Sequence, residues 1–282
     1  MPPHQNHIRL DRLSALLLAA APSVAIGPTE WSPNILSNTL CVKLLATPDA
    51  APHSVSIEQG HVAAAVVAKV GGGVICAPML TMQVQLKGPA GSMLMREFLQ
   101  PMVLPLAGAD AALVQAVQLL CSELEAPRCG QPAMLASAGN MLFIGLLRHL
   151  VARPQASSGL FVGLSDPRLA VALVAMHEQP QTAWSLESLA DRAGMSRTAF
   201  AMRFKTAMQI PPGKYLAQLR LLIAQRAVQS GKGLKGAARE SGYKDVSALS
   251  RALGRARMGS VALTASGRAQ SDAAYDDQMA RE

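Results

Sequence analysis

The sequence predicts an α+β chain in which a β-rich domain with flanking helices is followed by an all-α domain with two helix-turn-helix units. Three observations support this fold class. The chain has 282 residues, more than one hydrophobic core usually supports. β-Branched and alternating runs lie before residue 90, and apolar residues recur at helical spacing after residue 110. The net charge changes at residue 184, where a neutral part gives way to a basic one.

The β-rich domain is predicted from its strand-like runs. Residues 10–20 suit a short helix, with Asp11 in the first turn, where a negative charge is favourable. Strand-like runs follow at 36–45, 54–58, 61–70 and 80–86, separated by glycines and prolines. Short strands at such spacing are typical of a small antiparallel barrel or sandwich.

Two helices and a linker are predicted next. Asp110 suits the N-cap of a helix with one apolar face, and Pro132 suits the first position of a helix that runs to about Val151. Because this second helix is apolar nearly all round, it is either wholly buried or part of a subunit interface. Pro154, neighbouring serines and two glycines make 153–166 the predicted linker between domains 1–152 and 160–265.

The charge distribution indicates a polyanionic partner. Residues 1–183 have no net charge, residues 184–268 carry +11, and residues 269–282 carry −3. Clustered lysines and arginines gain affinity for phosphates by releasing condensed counterions. The alternative is a solvated basic face without a partner.

The basic part is predicted to be helical throughout, and its first helix-turn-helix is well marked. The predicted helices cover 167–178, 186–193, 197–207, 213–229, 234–241 and 246–257. Ser185 and Ser196 suit the caps of two consecutive helices, and Gly194 suits the left-handed end of the first, with Met195 filling the turn. In the second of these helices, two aromatic residues four positions apart face inward as anchors, and five residues face outward. The anchors are Phe200 and Phe204, and the outward residues are Arg197, Thr198, Ala201, Met202 and Lys205.

A second helix-turn-helix is predicted around Gly242. Three small or apolar residues of its first helix are expected to face the core, and two leucines repeat the four-residue anchor spacing. The inward residues are Leu234, Ala237 and Ala238, then Leu249 and Leu253, while Val246, Ser247, Ser250 and Arg251 form the exposed face. A recognition helix enters the major groove of DNA and contacts base edges from its N-terminal half.

These motifs resemble the DNA-binding domain of the AraC family. The resemblance rests on residues 184–190, on Ala193 to Arg197, on the double proline at 211–212 and on the connector helix with Arg220. Upstream, 166–168 and 177–180 resemble the subgroup whose N-terminal domain is a cupin-like β-barrel with flanking helices. The resemblance implies a cytoplasmic regulator that binds double-stranded promoter DNA, contacts RNA polymerase, responds to a small-molecule effector, forms a homodimer and does not bind membranes.

The resemblance also implies individual DNA contacts. Base contacts fall to Thr198, Ala201 and Met202 in the first unit and to Val246, Ser247, Ser250 and Arg251 in the second. Phosphate contacts fall to Ser196, Arg203, Lys205 and Arg255, and Arg197 lies on the same face. Because Met202 stands where the family has a longer polar or basic side chain, the first surface should favour thymine methyl groups. The alternative is that Met202 packs against a neighbouring helix.

The second helix-turn-helix departs from the family pattern. Ala237 replaces a large apolar residue, leucines replace two aromatic anchors, and the usual closing motif after Arg257 is missing. Each smaller anchor removes packing worth about 1 kcal/mol or more. A second hypothesis is therefore a decayed regulator that dimerises with a related protein and does not itself bind DNA tightly.

The N-terminal half offers little support for chemistry. His53 and His61, with Glu58 between them, are weak evidence for a metal site, so a cupin-type metal enzyme is the third hypothesis. No nucleophile motif, phosphate loop or dinucleotide fingerprint is present, and no catalytic residue, metal or cofactor is expected. The four cysteines show no metal spacing, and Asp11 and Pro22 argue against a secretory signal at 9–25.

Overall fold

A computed structural model describes residues 11–27, 38–46, 51–59, 68–70 and 74–256. These residues fall into two compact units. The first holds the chain up to Gln179 together with Trp184–Leu219, and the second holds Pro180–Ala183 and the chain from Arg220 onward.

Six strands form one antiparallel sheet in the first compact unit. Their order is β1-β5-β2-β3-β6, and β4 also pairs with β5. The strands are β1 Ser23–Gly27, β2 Thr39–Ala46, β3 Ser54–Gln59, β4 Ala68–Val70, β5 Val74–Gln85 and β6 Met102–Pro105. Strands are confirmed within the described parts of 36–45, 54–58 and 80–86, although Asn38 and Leu86 lie outside them and β5 begins earlier than predicted, at Val74. β1 and β6 were not predicted. Of the strand predicted at 61–70, residues 68–70 are confirmed and the rest lies outside the described residues.

The helices of the N-terminal half pack on the sheet and on one another. They are α1 Ser14–Ala20, α2 Gly88–Met95, a 3-10 turn Arg96–Phe98, α3 Ala111–Glu125 and α4 Gln131–Ala152. The Asp110 carboxylate accepts a hydrogen bond from Ala112 N at 3.0 Å, which confirms the predicted cap. A Cβ at Gly139 of α4 would lie 2.7 Å from Val24 and 3.0 Å from Met82, so the missing side chain lets α4 approach the sheet closely.

The remaining helices follow the predicted order with one addition. They are α5 Leu160–Ser165, α6 Pro167–Glu178, α7 Leu186–Arg192, α8 Arg197–Met208, α9 Pro212–Gln229, α10 Leu234–Ser241 and α11 over 246–256. The linker predicted over 153–166 is wrong in its second part, which is α5. Leu160, Phe161 and Leu164 are buried, so tertiary packing stabilises a helix of only six residues.

One helix of the first unit bears on a prediction about the subunit interface. Among the described residues, α4 alone is long and apolar enough to cross a membrane, and 56% of its most apolar window is buried inside the protein. Met134 and Met141 are 41% and 46% exposed, so the alternative that α4 is wholly buried is wrong. The alternative of a subunit interface stays a prediction.

Candidate nucleic-acid interface

The first helix-turn-helix is built from α7, a tight turn and α8. The hydroxyl of Ser185 accepts a hydrogen bond from Ser188 N at 3.0 Å, and Ser185 N donates to the Ser188 hydroxyl at 3.0 Å. Gly194 has a φ of +61°, and the Ser196 hydroxyl accepts from Ala199 N at 3.3 Å. Both predicted caps and the predicted turn glycine are therefore confirmed, and they fix where α8 begins.

Aromatic side chains anchor the inner face of α8. Phe200 and Phe204 are completely buried, with ring centroids 5.6 Å apart. Phe204 also meets the ring of Tyr215 edge-on at 5.7 Å, and Tyr215 Oη lies 2.7 Å from Nε2 of His177. This stack joins α6, α8 and α9, so the recognition helix cannot rotate about its axis without breaking core contacts.

The outer face of α8 carries most of the predicted contact residues. Ser196, Arg197, Thr198 and Lys205 are exposed. Met202 is 67% exposed, so the alternative that it packs against a neighbouring helix is wrong. Ala201 is half-buried, a departure from its predicted outward position.

An open groove borders this face. Its volume is about 780 Å³, and it is lined by Ser157, Val162, Met195, Ser196, Thr198, Ala199, Met202, Arg203, Thr206 and Ala207. Arg203 is paired with the Asp166 carboxylate, whereas Arg197 lies 3.9 Å from Glu187 with both side chains about two-thirds exposed. The pair made by Arg197 is weak because water surrounds both charges.

The second helix-turn-helix is built from α10, a turn and α11. Gly242 has a φ of +76°, and the next amide, Tyr243 N, donates to Ala238 O at 3.0 Å. The Asp245 carboxylate accepts from Ala248 N at 2.7 Å and so caps α11. The predicted turn glycine is confirmed, and the cap was not predicted.

The core of the second compact unit is made mostly of small side chains. Ala224, Ala227, Ala237, Ala238 and Leu249 are buried, and Val228, Tyr243 and Leu253 are partly buried against them. The prediction that Leu234 faces the core is wrong, because its side chain is 41% exposed at the first position of α10. The outer face matches the prediction, since Val246, Ser247, Ser250, Arg251 and Arg255 are all exposed.

Arg220 also shapes the second compact unit, a role that the sequence did not reveal. Its guanidinium donates to Pro180 O at 2.8 Å and to Thr182 O at 2.7 Å. A Cβ at Gly242 would lie only 2.6 Å from the Cα of Gln181. The segment Pro180–Ala183 therefore packs directly against the turn of the second helix-turn-helix.

The sheet of the N-terminal half contains a polar row in its middle. Lys43 is 2% exposed, and its Nζ lies 2.6 Å from Oε1 of Glu58. Thr81 pairs with Lys43 across the neighbouring strand, and Gln83 is two residues further along. The Oγ1 of Thr81 and the Nε2 of Gln83 are buried without a hydrogen-bond partner in the described part of the chain. Lys43, Glu58, Thr81 and Gln83 are called the polar row below.

The predicted histidine pair can be followed only in part. Nδ1 of His53 lies 3.1 Å from the Ser54 hydroxyl, while His61 lies outside the described residues. Glu58 is engaged by Lys43. Within the described ranges, no group of three or more His, Cys, Asp or Glu side chains could hold a metal ion.

Family comparisons agree with both halves of this architecture. A family model described as a cupin matches residues 7–152, just over half of the chain. A family model described as a helix-turn-helix domain matches residues 189–259. A Streptomyces lividans protein named as an AraC-like transcription regulator is 38% identical over 117 residues, which are 41% of this chain and 38% of that protein. The chain belongs to the AraC family.

Other relatives of this AraC-family chain carry similar names. An uncharacterized HTH-type transcriptional regulator of Haemophilus influenzae is 33% identical over 136 residues, 48% of this chain and 46% of that protein. AlkR, an HTH-type transcriptional regulator of Acinetobacter baylyi, is 33% identical over 117 residues, 41% of this chain and 38% of AlkR. In each case the matched segment spans less than half the length of the relative.

Two solved structures match the AraC-family chain with low TM-scores. The DNA-binding domain of AdpA, in complex with a target DNA, is 32% identical and covers 32% of this chain and 81% of that one, with a TM-score of 0.30. ToxT from Vibrio cholerae is 9% identical and covers 82% of this chain and 93% of ToxT, with a TM-score of 0.33. At such low TM-scores neither likeness assigns a role to a residue.

Proposed function

We propose that the chain is a sequence-specific, double-stranded-DNA-binding transcriptional regulator without catalytic activity. The observation that carries the proposal is the recognition helix α8, which is capped by Ser196, anchored by two buried phenylalanines and exposed along Arg197, Thr198, Met202 and Lys205. A rigid helix with a polar and basic outer face fits the major groove. The net charge of +11 over residues 184–268 supplies attraction to phosphates.

Specific contacts follow from this proposal. Thr198, Ala201 and Met202 face bases in the first half-site, with the half-buried Ala201 offering less surface than the other two. Val246, Ser247, Ser250 and Arg251 face the second half-site. Ser196, Lys205 and Arg255 hold phosphates, because hydroxyl and basic side chains at helix ends position a protein on the DNA backbone.

The experiment selects DNA with the full-length protein. A random duplex pool is enriched on the protein, and the enriched sequence, called the operator below, is titrated beside a scrambled duplex of equal length. We expect enrichment of one motif and an operator affinity at least about a hundredfold above that of the scrambled duplex. A pool that stays random after selection refutes sequence-specific binding and favours the heterodimerising alternative.

The cupin half is proposed to bind a small effector at the polar row. Buried polar groups without partners are costly, and a bound ligand can supply the missing hydrogen bonds. Lys43, the Thr81 hydroxyl and the Gln83 amide are all donors, so they favour a ligand with several acceptor oxygens.

Thermal unfolding of the full-length protein with dicarboxylates and with monosaccharides tests this effector site. We expect stabilisation by one class in the wild type and none in Gln83→Leu, and no stabilisation by either class refutes the site.

The same half is proposed to form a homodimer through α4, and the protein is proposed to act in the cytoplasm, where it meets DNA and RNA polymerase. No membrane partner is proposed, since more than half of the most apolar window of α4 is buried.

A further inference from the structure

The Asp166 side chain joins two helices of the first compact unit. Oδ1 accepts hydrogen bonds from Arg168 N at 2.9 Å and Leu169 N at 3.3 Å, which caps α6. Oδ2 accepts from Nε of Arg203 on α8. The Asp166 side chain is only 13% exposed, whereas that of Arg203 is 52% exposed. One carboxylate therefore holds the start of α6 and the flank of the recognition helix together.

The electrostatics of Asp166 agree with a charged, fully engaged group. Burial alone would raise its pKa, but the hydrogen bonds from Arg203 and from the amides of Arg168 and Leu169 bring the pKa below its ordinary value. Asp166 is therefore ionised at neutral pH, and its charge opposes that of Arg203.

This arrangement makes Arg203 a poor phosphate ligand. The Nε–H of Arg203 is already bonded to Asp166, so a phosphate could be bound only through the Nη groups and would have to approach the negative charge of Asp166. Lys205, on the same helix, is exposed. The two basic residues thus face different environments although they lie two positions apart.

The position of Arg203 on α8 suits a geometric role. Phe200 and Phe204 hold the inner face in the core, and Arg203 lies on the flank next to the exposed Met202. The two aromatic anchors hold α8 along its inner face, and a restraint on the flank adds a contact on a second side that limits small changes in the tilt of the helix. Base contacts need such restraint because hydrogen-bond readout depends on geometry.

We propose that Asp166 and Arg203 are positioning residues that set the angle of α8 in the major groove, and that Arg203 does not bind a phosphate. The proposal rests on the proposed function, since the angle matters only when α8 contacts bases.

The test compares three full-length variants that remove one charge each. Asp166→Asn keeps an N-cap residue but loses the ion pair, and Arg203→Gln loses the other partner. Lys205→Gln is the matched control on the same helix. Each is titrated with the operator and the scrambled duplex over a range of salt concentrations.

We expect the Asp166 and Arg203 variants to lose about five- to tenfold in operator affinity, with an unchanged salt dependence on scrambled DNA. Lys205→Gln should weaken binding to both duplexes equally. It should also reduce the magnitude of the slope of log affinity against log salt concentration by about 1. The double variant should lose no more than either single variant. The proposal is overturned if Arg203→Gln reduces the slope as Lys205→Gln does, or if Asp166→Asn strengthens binding by freeing Arg203.

A second measurement does not depend on DNA. Hydrogen exchange of the α8 amides in the free protein should be faster in Asp166→Asn and Arg203→Gln than in the wild type, and unchanged in Lys205→Gln. Unchanged α8 protection in both ion-pair variants refutes the positioning role. If the wild type selects no DNA motif while exchange in α8 responds as expected, the proposed function fails but the restraint on α8 stands.

Discussion

Thr198 and Arg251 are exposed side chains of the two recognition helices, but these helices are held differently. α8, which carries Thr198, has two completely buried phenylalanines as anchors. α11, which carries Arg251, has Leu249 fully buried and Leu253 only partly buried. A loosely held helix loses base readout before it loses phosphate attraction, because Coulomb attraction tolerates imperfect geometry.

We therefore predict opposite specificity effects for the two residues. Arg251→Ala should weaken binding to the operator and to the scrambled duplex about equally, as expected for a phosphate contact. Thr198→Trp should weaken the operator selectively, because the larger side chain disturbs the base-facing surface. Paired titrations check this, and a selective operator loss of about 1–3 kcal/mol in Arg251→Ala would show that α11 contacts bases.

His177 has a titration that bears on stability. Its Nδ1 is buried without a hydrogen-bond partner in the described residues, and burial lowers its pKa from 6.5 to about 4. Between these pH values the unfolded chain binds more protons than the folded one, so the free energy of unfolding falls as the pH falls from 6.5 to 4.

The expected slope from His177 approaches about 1.4 kcal/mol per pH unit in the middle of that range. Chemical denaturation of His177→Gln should show a smaller decline than the wild type. His149→Gln is the comparison variant: burial and then the charge of Arg153 lower the pKa of His149 while Asp110 raises it, so this variant should reduce the decline less than His177→Gln does. Equal slopes in the wild type and His177→Gln would contradict the assignment.

Residue positions were predictable from the sequence where a local rule governs them. Ser185, Ser196 and Gly194 follow capping rules that involve only neighbours in the chain. The half-burial of Ala201 and the exposure of Leu234 depend on which helices lie beside them, which periodicity does not reveal. The pairing of Asp166 with Arg203 joins residues 37 positions apart, and no local pattern indicates it.

Helices were predicted better than strands for a related reason. α6 and α10 have the predicted bounds, since a proline or glycine and a cap mark their ends. α2 was missed because Gly88 and Pro89 suggested a turn, although a proline is also favourable in the first turn of a helix. β1 and β6 are short edge strands of the described sheet, and their pairing with distant strands, not their composition, makes them strands.

The two turn glycines give a matched test at the level of the helix-turn-helix units. Both adopt a left-handed conformation, with φ of +61° at Gly194 and +76° at Gly242. A Cβ at Gly194 meets nothing within 4 Å, whereas one at Gly242 meets backbone atoms of Gln181 and Pro180 within 3 Å. Gly194→Ala therefore introduces only backbone strain.

We predict that Gly194→Ala costs about 1 kcal/mol and Gly242→Ala clearly more, because a backbone clash adds to the strain. Chemical denaturation followed by circular dichroism checks the ordering. Similar losses in the two variants would mean that Pro180–Ala183 moves away freely, contrary to the two hydrogen bonds from Arg220.

The charge asymmetry of the whole chain predicts a salt effect. Because residues 184–268 carry +11 and the residues before them carry no net charge, we expect attraction to DNA to come from this one part of the chain. If four or more phosphates are neutralised, affinity for scrambled duplex should fall more than about a hundredfold between about 50 and 200 mM salt. A binding constant that stays flat over this range, measured by fluorescence anisotropy, would exclude phosphate contacts as the source of affinity.

The exposed methionines of α4 suggest how two copies of the molecule associate. Met134 and Met141 are seven residues apart, so they lie two helical turns apart on one face, and both remain more than 40% exposed. A self-complementary face on one long helix suits a two-fold symmetric dimer, and a dimer places two copies of the recognition helices on one operator.

We predict that the full-length protein sediments as a dimer at micromolar concentration and that Met141→Glu shifts it to a monomer, because burying an unpaired carboxylate at the interface is costly. The monomer should also bind the operator more weakly, since each copy then binds without its partner. Leu18→Glu is the matched control, because Leu18 is an even more exposed apolar residue, at 82%, on α1. If Leu18→Glu dissociates the dimer and Met141→Glu does not, the interface lies on α1 and the assignment to α4 is wrong.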